Sequence, residues 1–297
     1  MKKWIKWIAI TLAALAALVG AGLVAGTQLA ERKMQRKMDV QVAAVPVRTD
    51  AEALAHGRYL YLSRGCIDCH GANGAGRMFV NEGSMRLGGA NITPAPGSAV
   101  AAYVTQDWVR AIRHGVNPQG RPLMIMPSQD YNRLTDEDLG ALIGYLQSMA
   151  PIASGGTVLD LPLPVRALYG FGMMHDAAAT IDHALAPAKP VPVGVTPEHG
   201  AYVANICLSC HGAKLNGGRI PGSPPDWPAA ANLTPGEGTA MVRYPDADSF
   251  MRLFKSGKRP DGTPVKVMPF ESLREINDTD LRALYLYLQG LPPQAHG

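Results

Sequence analysis

Cys66-Ile-Asp-Cys-His70-Gly and Cys207-Leu-Ser-Cys-His211-Gly are one phrase written twice in a chain of 297 residues, and together they use all four of its cysteines. The repetition is wider than the phrase. Asn91-Ile-Thr-Pro94 returns as Asn232-Leu-Thr-Pro235, at the same 141-residue step that separates Cys66 from Cys207. From Gly115 onward the step is 142: Gly115, Pro118, Gly120 and Pro122 map onto Gly257, Pro260, Gly262 and Pro264, and Met126-Pro127 maps onto Met268-Pro269. Asp138-Leu139 and Tyr145-Leu146-Gln147 return as Asp280-Leu281 and Tyr287-Leu288-Gln289. One inserted residue accounts for the change of step. Self-similarity at a fixed period means two copies of one folding unit, placed here at residues 51–150 and 197–297.

Four chemistries compete for the repeated phrase. A disulfide within each pair leaves His70 and His211 without a reason. A redox-active C-x-x-C wants a strand–helix alternation that this chain lacks. A zinc site drawing two cysteines from each copy makes both histidines surplus. Covalent haem attachment uses every residue: the two thiols add to the two vinyl groups, and the adjacent histidine becomes the proximal ligand of the iron. The expectation is therefore two covalently bound haem c groups, held by Cys66 and Cys69 and by Cys207 and Cys210, with His70 and His211 on the irons.

Each unit opens on a helical pattern, Ala51–Ser63 and residues 197–205, and closes on a stronger one. Thr135-Asp-Glu-Asp138 is an N-cap with an acid at the third helical position, followed by Leu139, Leu142, Ile143 and Leu146 on one face. The second copy reads Asn277-Asp-Thr-Asp280, then Leu281, Leu284, Tyr285 and Leu288, and it stops at Gly290. Gly and Pro fill the space between, with few strand-like alternations. A large apolar cofactor supplying part of the core lets about 100 residues suffice. Trp108 and Phe250 hold equivalent places and read as core beside that cofactor.

Each unit resembles a class I cytochrome c domain: a first helix, C-x-x-C-H, a loop region, Met-Pro, and a last helix. With N-[IL]-T-P and D-x-D-L-x-A-L-x-x-Y-L-Q, the pair resembles the cytochrome c subunits of membrane-bound alcohol, aldehyde and sugar dehydrogenases over residues 51–150 and 197–292. The implied fold is mainly α, two tandem class I cytochrome c domains preceded by a single N-terminal transmembrane helix. Of 13 methionines, Met126 and Met268 alone sit in matching places before a proline, so they are the expected distal ligands. Met124 competes in the first unit, but its counterpart is Lys266. His56 and His199 read as surface or helix-packing residues, and Asn91 and Asn232 as loop braces or partners of a haem propionate.

The N-terminus places lysines at 2, 3 and 6 before an apolar run at residues 8–26 that is broken only by Thr11. That length is near the roughly 20 residues a membrane span needs. Trp4 and Trp7 suit an interface, and no small-x-small cleavage site follows. Residues 1–30 are thus expected to be an uncleaved anchor and 31–50 a juxtamembrane linker. Arg32, Lys33, Arg36 and Lys37 follow the span, so charge does not settle its orientation. In the family resembled, haem attachment is completed outside the bacterial inner membrane, which implies periplasmic haem domains. The Pro-rich connector, 151–196, has an apolar middle at 168–174 that is expected to pack across both domains, with a partner subunit as the alternative cover.

The net charge of +4 is no nucleic-acid signal. Residues 1–50 hold eight basic and three acidic side chains, whereas both repeat units balance, at eight against eight and ten against ten. His/Met ligation at both irons leaves no position for a substrate. The expected function is single-electron transfer from a membrane-bound dehydrogenase or quinol-oxidising complex towards a terminal oxidase or a soluble carrier. Two alternatives stand beside it: an integral subunit of a respiratory oxidase supercomplex, and a dihaem peroxidase, against which both intact Met-Pro elements count.

Overall fold

The computed structural model describes residues 3–220, 222–224 and 226–297; Lys2, the first of the N-terminal lysines, lies outside the described residues. The apolar run forms the middle of one helix, α1 (Lys3–Met34), whose most apolar window has a mean hydropathy of 2.4 and is uncovered by the rest of the chain. At about 1.5 Å per residue, 32 residues span roughly 48 Å. That exceeds the ~30 Å hydrocarbon layer of a bilayer. The helix continues past residue 30 because its last turn finds partners in the connector.

Residues 36–48 then run extended along the first unit rather than hanging free. Met38 N–H donates to Gly120 O at 2.8 Å. Val40 and Val45 are buried, and Val42, Val45 and Val47 pack against the first unit's apolar core.

The first unit contains α2 (Ala51–Ser63), α3 (Cys66–His70), a hairpin of β1 (Met78–Glu82) and β2 (Met85–Gly88), α4 (Thr105–His114) and α5 (Asp136–Ser148). Asp50 caps α2, and Thr135 caps α5 by accepting from Asp138 N–H at 3.1 Å. The connector adds β3 (Val158–Asp160), which pairs antiparallel with β2, and then α6 (Leu163–Gly170). The second unit repeats the helices as α7 (Pro197–Val203), α8 (Leu208–His211), α9 (Ala247–Ser256), α10 (Phe270–Leu273) and α11 (Asp278–Gln289).

The small sheet is not visible in the sequence pattern. Its strands are too short to show alternation, and its third strand comes from the connector. Among the described residues, the corresponding stretch of the second unit retains only the bridge Gly218–Ala230. Prolines 221, 224, 225 and 228 stand there, and proline cannot donate to a ladder.

In each unit the first and last helices cross in contact, α2 on α5 and α7 on α11. The crossing explains the glycine after each helix-packing histidine. A Cβ on Gly57 would lie 2.1 Å from Ala141 O, and one on Gly200 would lie 2.0 Å from Ala283 O. Any side chain there would drive the helices apart. Beneath these crossings lie two cores, one around Leu60, Tyr61, Trp108 and Ile143, the other around Val203, Phe250, Leu281 and Leu284.

The two units meet through reciprocal contacts. Tyr59 of the first donates to Asp280 of the second at 2.6 Å, and Tyr202 of the second donates to Asp138 of the first at 2.5 Å. Each carboxylate also holds the histidine of its own unit, Asp138 with His56 at 2.7 Å and Asp280 with His199 at 2.8 Å. Such i-to-j and j-to-i pairing is the signature of a two-fold-like interface.

Candidate functional site

The first C-x-x-C-H phrase is the short helix α3, and the second is a 3-10 turn ending at Cys207 that runs into α8; each is closed by a glycine at positive φ, Gly71 and Gly212. The histidine at the end of each is fixed by the same bond: His70 Nδ1 to Ala90 O and His211 Nδ1 to Ala231 O, both 2.8 Å. A carbonyl can only accept, so Nδ1 carries the proton and Nε2 is left with the lone pair, the form a metal requires. Burial pushes both imidazoles below their ordinary value, partly opposed by the carbonyl bond, so both are neutral near pH 7.

The carbonyls that orient these rings are themselves held. Asn91 follows Ala90 and accepts from Thr93 N–H and Oγ1 at 2.9 and 2.8 Å while donating to Ile152 O at 2.7 Å. Asn232 does the same with Thr234 at 2.9 and 2.8 Å and Gln294 O at 2.8 Å. The two asparagines therefore brace backbone.

In the first unit Cys66, Cys69 and His70 line one side of a cavity of about 320 Å³, and Met124 and Met126 line it too. Trp108, Leu142 and Leu146 are among its apolar walls. Of the two methionines, Met126 packs on the apolar core, and Met268 does so in the second unit. The turn after each Met-Pro is the same: Ser128 N–H donates to Met126 O at 2.8 Å, and Phe270 N–H donates to Met268 O at 2.9 Å. A cavity of about 420 Å³ in the second unit, lined by Ala204, Leu208, Leu215 and Tyr287, contains neither His211 nor Met268. The second site is therefore defined by its equivalent side chains.

Burial pushes Cys66 and Cys207 up to about 12 and Cys69 up to about 11, with nearby acids adding to the effect. A redox-active thiolate does not suit that environment. Among the described residues no three His, Cys, Asp or Glu side chains converge as a metal cage needs. Haem c fits the residues present: an apolar cavity, two thiols on one short helix, and an imidazole with its lone pair set by a carbonyl.

Residues 52–146 match the protein family described as cytochrome c oxidase, cbb3-type, subunit III. Over those residues the chain is similar to a cytochrome c family. It is 28% identical over 279 residues to the fructose dehydrogenase cytochrome subunit of Gluconobacter japonicus, covering 84% of this chain and 55% of that protein. It is 25% identical over 289 residues to the cytochrome c subunit of the quinone alcohol dehydrogenase of Gluconobacter oxydans, with 88% and 59% covered. The gluconate 2-dehydrogenase cytochrome c subunit of Pantoea cypripedii is 27% identical over 260 residues, with 79% and 58% covered. The chain thus spans little more than half the length of these relatives. The likeness is to cytochrome c subunits, in keeping with covalently bound haem c and electron transfer.

Sequence reasoning missed what surrounds the cysteine helices of this chain. Asp68, inside the first phrase, accepts from Ser272 Oγ at 2.6 Å; Ser209, inside the second, donates to Asp130 from N–H at 3.2 Å and from Oγ at 2.8 Å. By the repeat steps Asp68 corresponds to Ser209 and Asp130 to Ser272. Both cysteine helices therefore lie on the junction between units. Arg64, 7% exposed, lies beside them and donates to Asp280 at 2.6 Å. Tyr59 and Tyr202 each follow a histidine of the first helix by three residues, a matched pair displaced from the 141-residue step by two positions.

Proposed function

We propose that the chain is a dihaem c-type cytochrome subunit, anchored in the bacterial inner membrane by α1, whose two haem domains stand in the periplasm and pass single electrons. Cys66 and Cys69 with His70 and Met126 would hold one haem, and Cys207 and Cys210 with His211 and Met268 the other. Such an iron, held between imidazole and thioether, exchanges one electron and offers no position to substrate. The protein's part is to fix each imidazole tautomer, exclude water from the iron with Trp108, Leu142 and their counterparts, and keep both cysteine helices at one junction.

The duplicated histidine bond, 2.8 Å to a braced carbonyl in both units, carries this reading. The electron donor would be a membrane-bound dehydrogenase oxidising an alcohol, sugar or sugar acid, in keeping with relatives named for fructose, alcohol and gluconate. The acceptor would be a terminal oxidase or a soluble carrier. The match of residues 52–146 to an oxidase subunit family supports a second reading, a subunit of a respiratory oxidase assembly.

Intact mass of the purified chain should show two haem increments. Purification from native membranes in mild detergent separates the partners: a flavin or quinoprotein dehydrogenase should come with it. Oxidase subunits in its place would overturn the dehydrogenase assignment, and one haem increment would overturn the dihaem reading.

A further inference from the structure

The connector helix α6 lies against α1 where the apolar run ends. Gly26 and Ala30 are its covered positions on α1. The backbones touch: a Cβ on Gly170 would meet Gly26 O at 1.9 Å, and one on Gly26 would meet Ala167 Cβ at 2.7 Å. Small residues permit this approach, and charged groups secure it. Lys33 Nζ donates to Tyr169 O at 3.0 Å, at the carbonyl end of α6, where a cation is favoured. Arg36 forks onto Asp176 at 2.6 and 2.9 Å, Tyr169 OH donates to Asp176 at 2.7 Å, and Arg166 reaches Glu31 at 3.2 Å. Burial pushes the Asp176 carboxyl up, but the Arg36 and Tyr169 bonds outweigh it and hold it below the usual carboxylate range. The basic residues that made charge useless as an orientation signal are thus partly structural.

Around this contact large apolar side chains of the element stay substantially uncovered, although the Phe171 ring also reaches Gly26 of α1. Leu163 is 58% exposed, Leu168 38%, Phe171 50% and Met173 63%. No carboxylate stands on α6, and its one cation is engaged by Glu31. A contiguous group of large exposed apolar side chains marks a binding surface, and its height selects the occupant. From the exposed Trp7 to Gly26 the helix rises about 28 Å at ~1.5 Å per residue, close to the ~30 Å thickness of the hydrocarbon layer. With the two tryptophans at one boundary, α6 falls at the other. Arg32 and Lys37 are exposed beside it, as a surface facing anionic headgroups requires.

We infer that α6 and the turn after it, with Leu163, Leu168, Phe171 and Met173, form a second membrane contact that lies in the headgroup–acyl boundary of an anionic bilayer. A single spanning helix is free to rotate and tilt; a second contact fixes it. Because the chain after α1 is docked along the first unit, fixing α6 on the lipid also fixes how that unit faces the membrane. The inference rests on the reading of α1 as a membrane anchor.

The test places benzoylphenylalanine at Leu15, Phe171 or Val242 of the full-length, haem-loaded chain. Leu15 lies mid-span, and Val242 is an exposed apolar residue of the second unit, at 59%. The three proteins are irradiated in nanodiscs of phosphatidylethanolamine and phosphatidylglycerol and read by intact mass. A mass shift of one phospholipid is expected at 15 and 171 and not at 242. Lipid at 15 without lipid at 171 overturns the inference and leaves the anchor reading standing. No lipid at either position overturns both. In native membranes, cross-linking of 171 only to another protein also overturns it, since the face would then belong to a subunit.

Discussion

Asp138 and Asp280 occupy the same place in the two repeats, yet neutralising them should have unequal consequences. Asp280 is 3% exposed and receives Arg64, Tyr59 and His199 at 2.6, 2.6 and 2.8 Å. Among the described residues Asp138 receives side-chain bonds from Tyr202 and His56 and none from an arginine, because Arg64 corresponds to Asn205; Arg64 acts on Asp138 through its charge alone. Asp280→Asn leaves a buried guanidinium without its counter-charge, which costs about 3–5 kcal/mol. Asp138→Asn weakens hydrogen bonds that an amide oxygen can still accept, a loss of about 1–2 kcal/mol. Replacing both members of a buried pair removes most of the penalty, so Arg64→Met combined with Asp280→Asn should regain much of the loss. The assay is guanidinium unfolding of the haem-loaded chain in detergent, followed by circular dichroism.

The pH dependence supplies a further check. Burial raises the Asp280 carboxyl, but the Arg64 charge and the bonds from Arg64, Tyr59 and His199 outweigh it and hold the group below its usual value. A group depressed in the folded state stabilises fully above its unfolded value and loses that contribution as pH falls through the folded one. The deficit of Asp280→Asn should therefore shrink below about pH 4. Equal losses at 138 and 280, or no recovery in the double variant, would refute the argument.

Other expectations follow from the same geometry. Met126→Leu should lower the potential of one haem and abolish its iron–thioether absorption band, whereas Met124→Leu should leave both; a redox titration separates them. Cys207→Ala with Cys210→Ala should leave a chain with one haem increment by intact mass. Burial lifts Asp130 to about 7 against the two bonds from Ser209. The folded state then holds a proton that the unfolded state has released between about pH 4 and 7, so stability from this group falls as pH rises through that window. Asp130→Asn should flatten that slope in unfolding curves measured from pH 5 to 8.

Much of this was legible because repetition filters noise. The cysteine helices, the N-caps Thr135 and Asn277 and the terminal helices all sit where the aligned copies agree, and local chemistry decides them. The hairpin of β1 and β2 was not legible: no counterpart supports it, and it is completed by β3 from a segment that reads as a linker. The docking of α6 on α1 was equally hidden, since it depends on backbone approach at Gly26 and Gly170, about 140 residues apart. Asn91 and Asn232 were visible as a pair, but only the structure separates bracing from ligand contact, because both amides are already used. The roles of Arg64, Asp68 and Asp130 lie in differences between the copies, which an argument from sameness discards.

Those differences decide which surfaces can meet. Pairing a first unit with another first unit would set Asp68 against Asp130, two acids in a half-buried junction; pairing two second units would set Ser209 against Ser272 with no acid at all. Only unlike units form an Asp–Ser bond at both places, so the exchange selects the intramolecular partner. Ser272→Asp should be strongly destabilising, because Asp68 would then face a second carboxylate and one of the two must take up a proton. Asp68→Ser should be mild, for it turns the first phrase into the Cys-x-Ser-Cys-His that the second already uses. The combination Asp68→Ser with Ser272→Asp rebuilds the bond with its acid on the other side and should unfold close to the parent. The coupling between neighbouring residues in such a cycle is about 0.5–3 kcal/mol. A double variant no better than Ser272→Asp alone would mean that the acid–serine exchange is not what matches the two units.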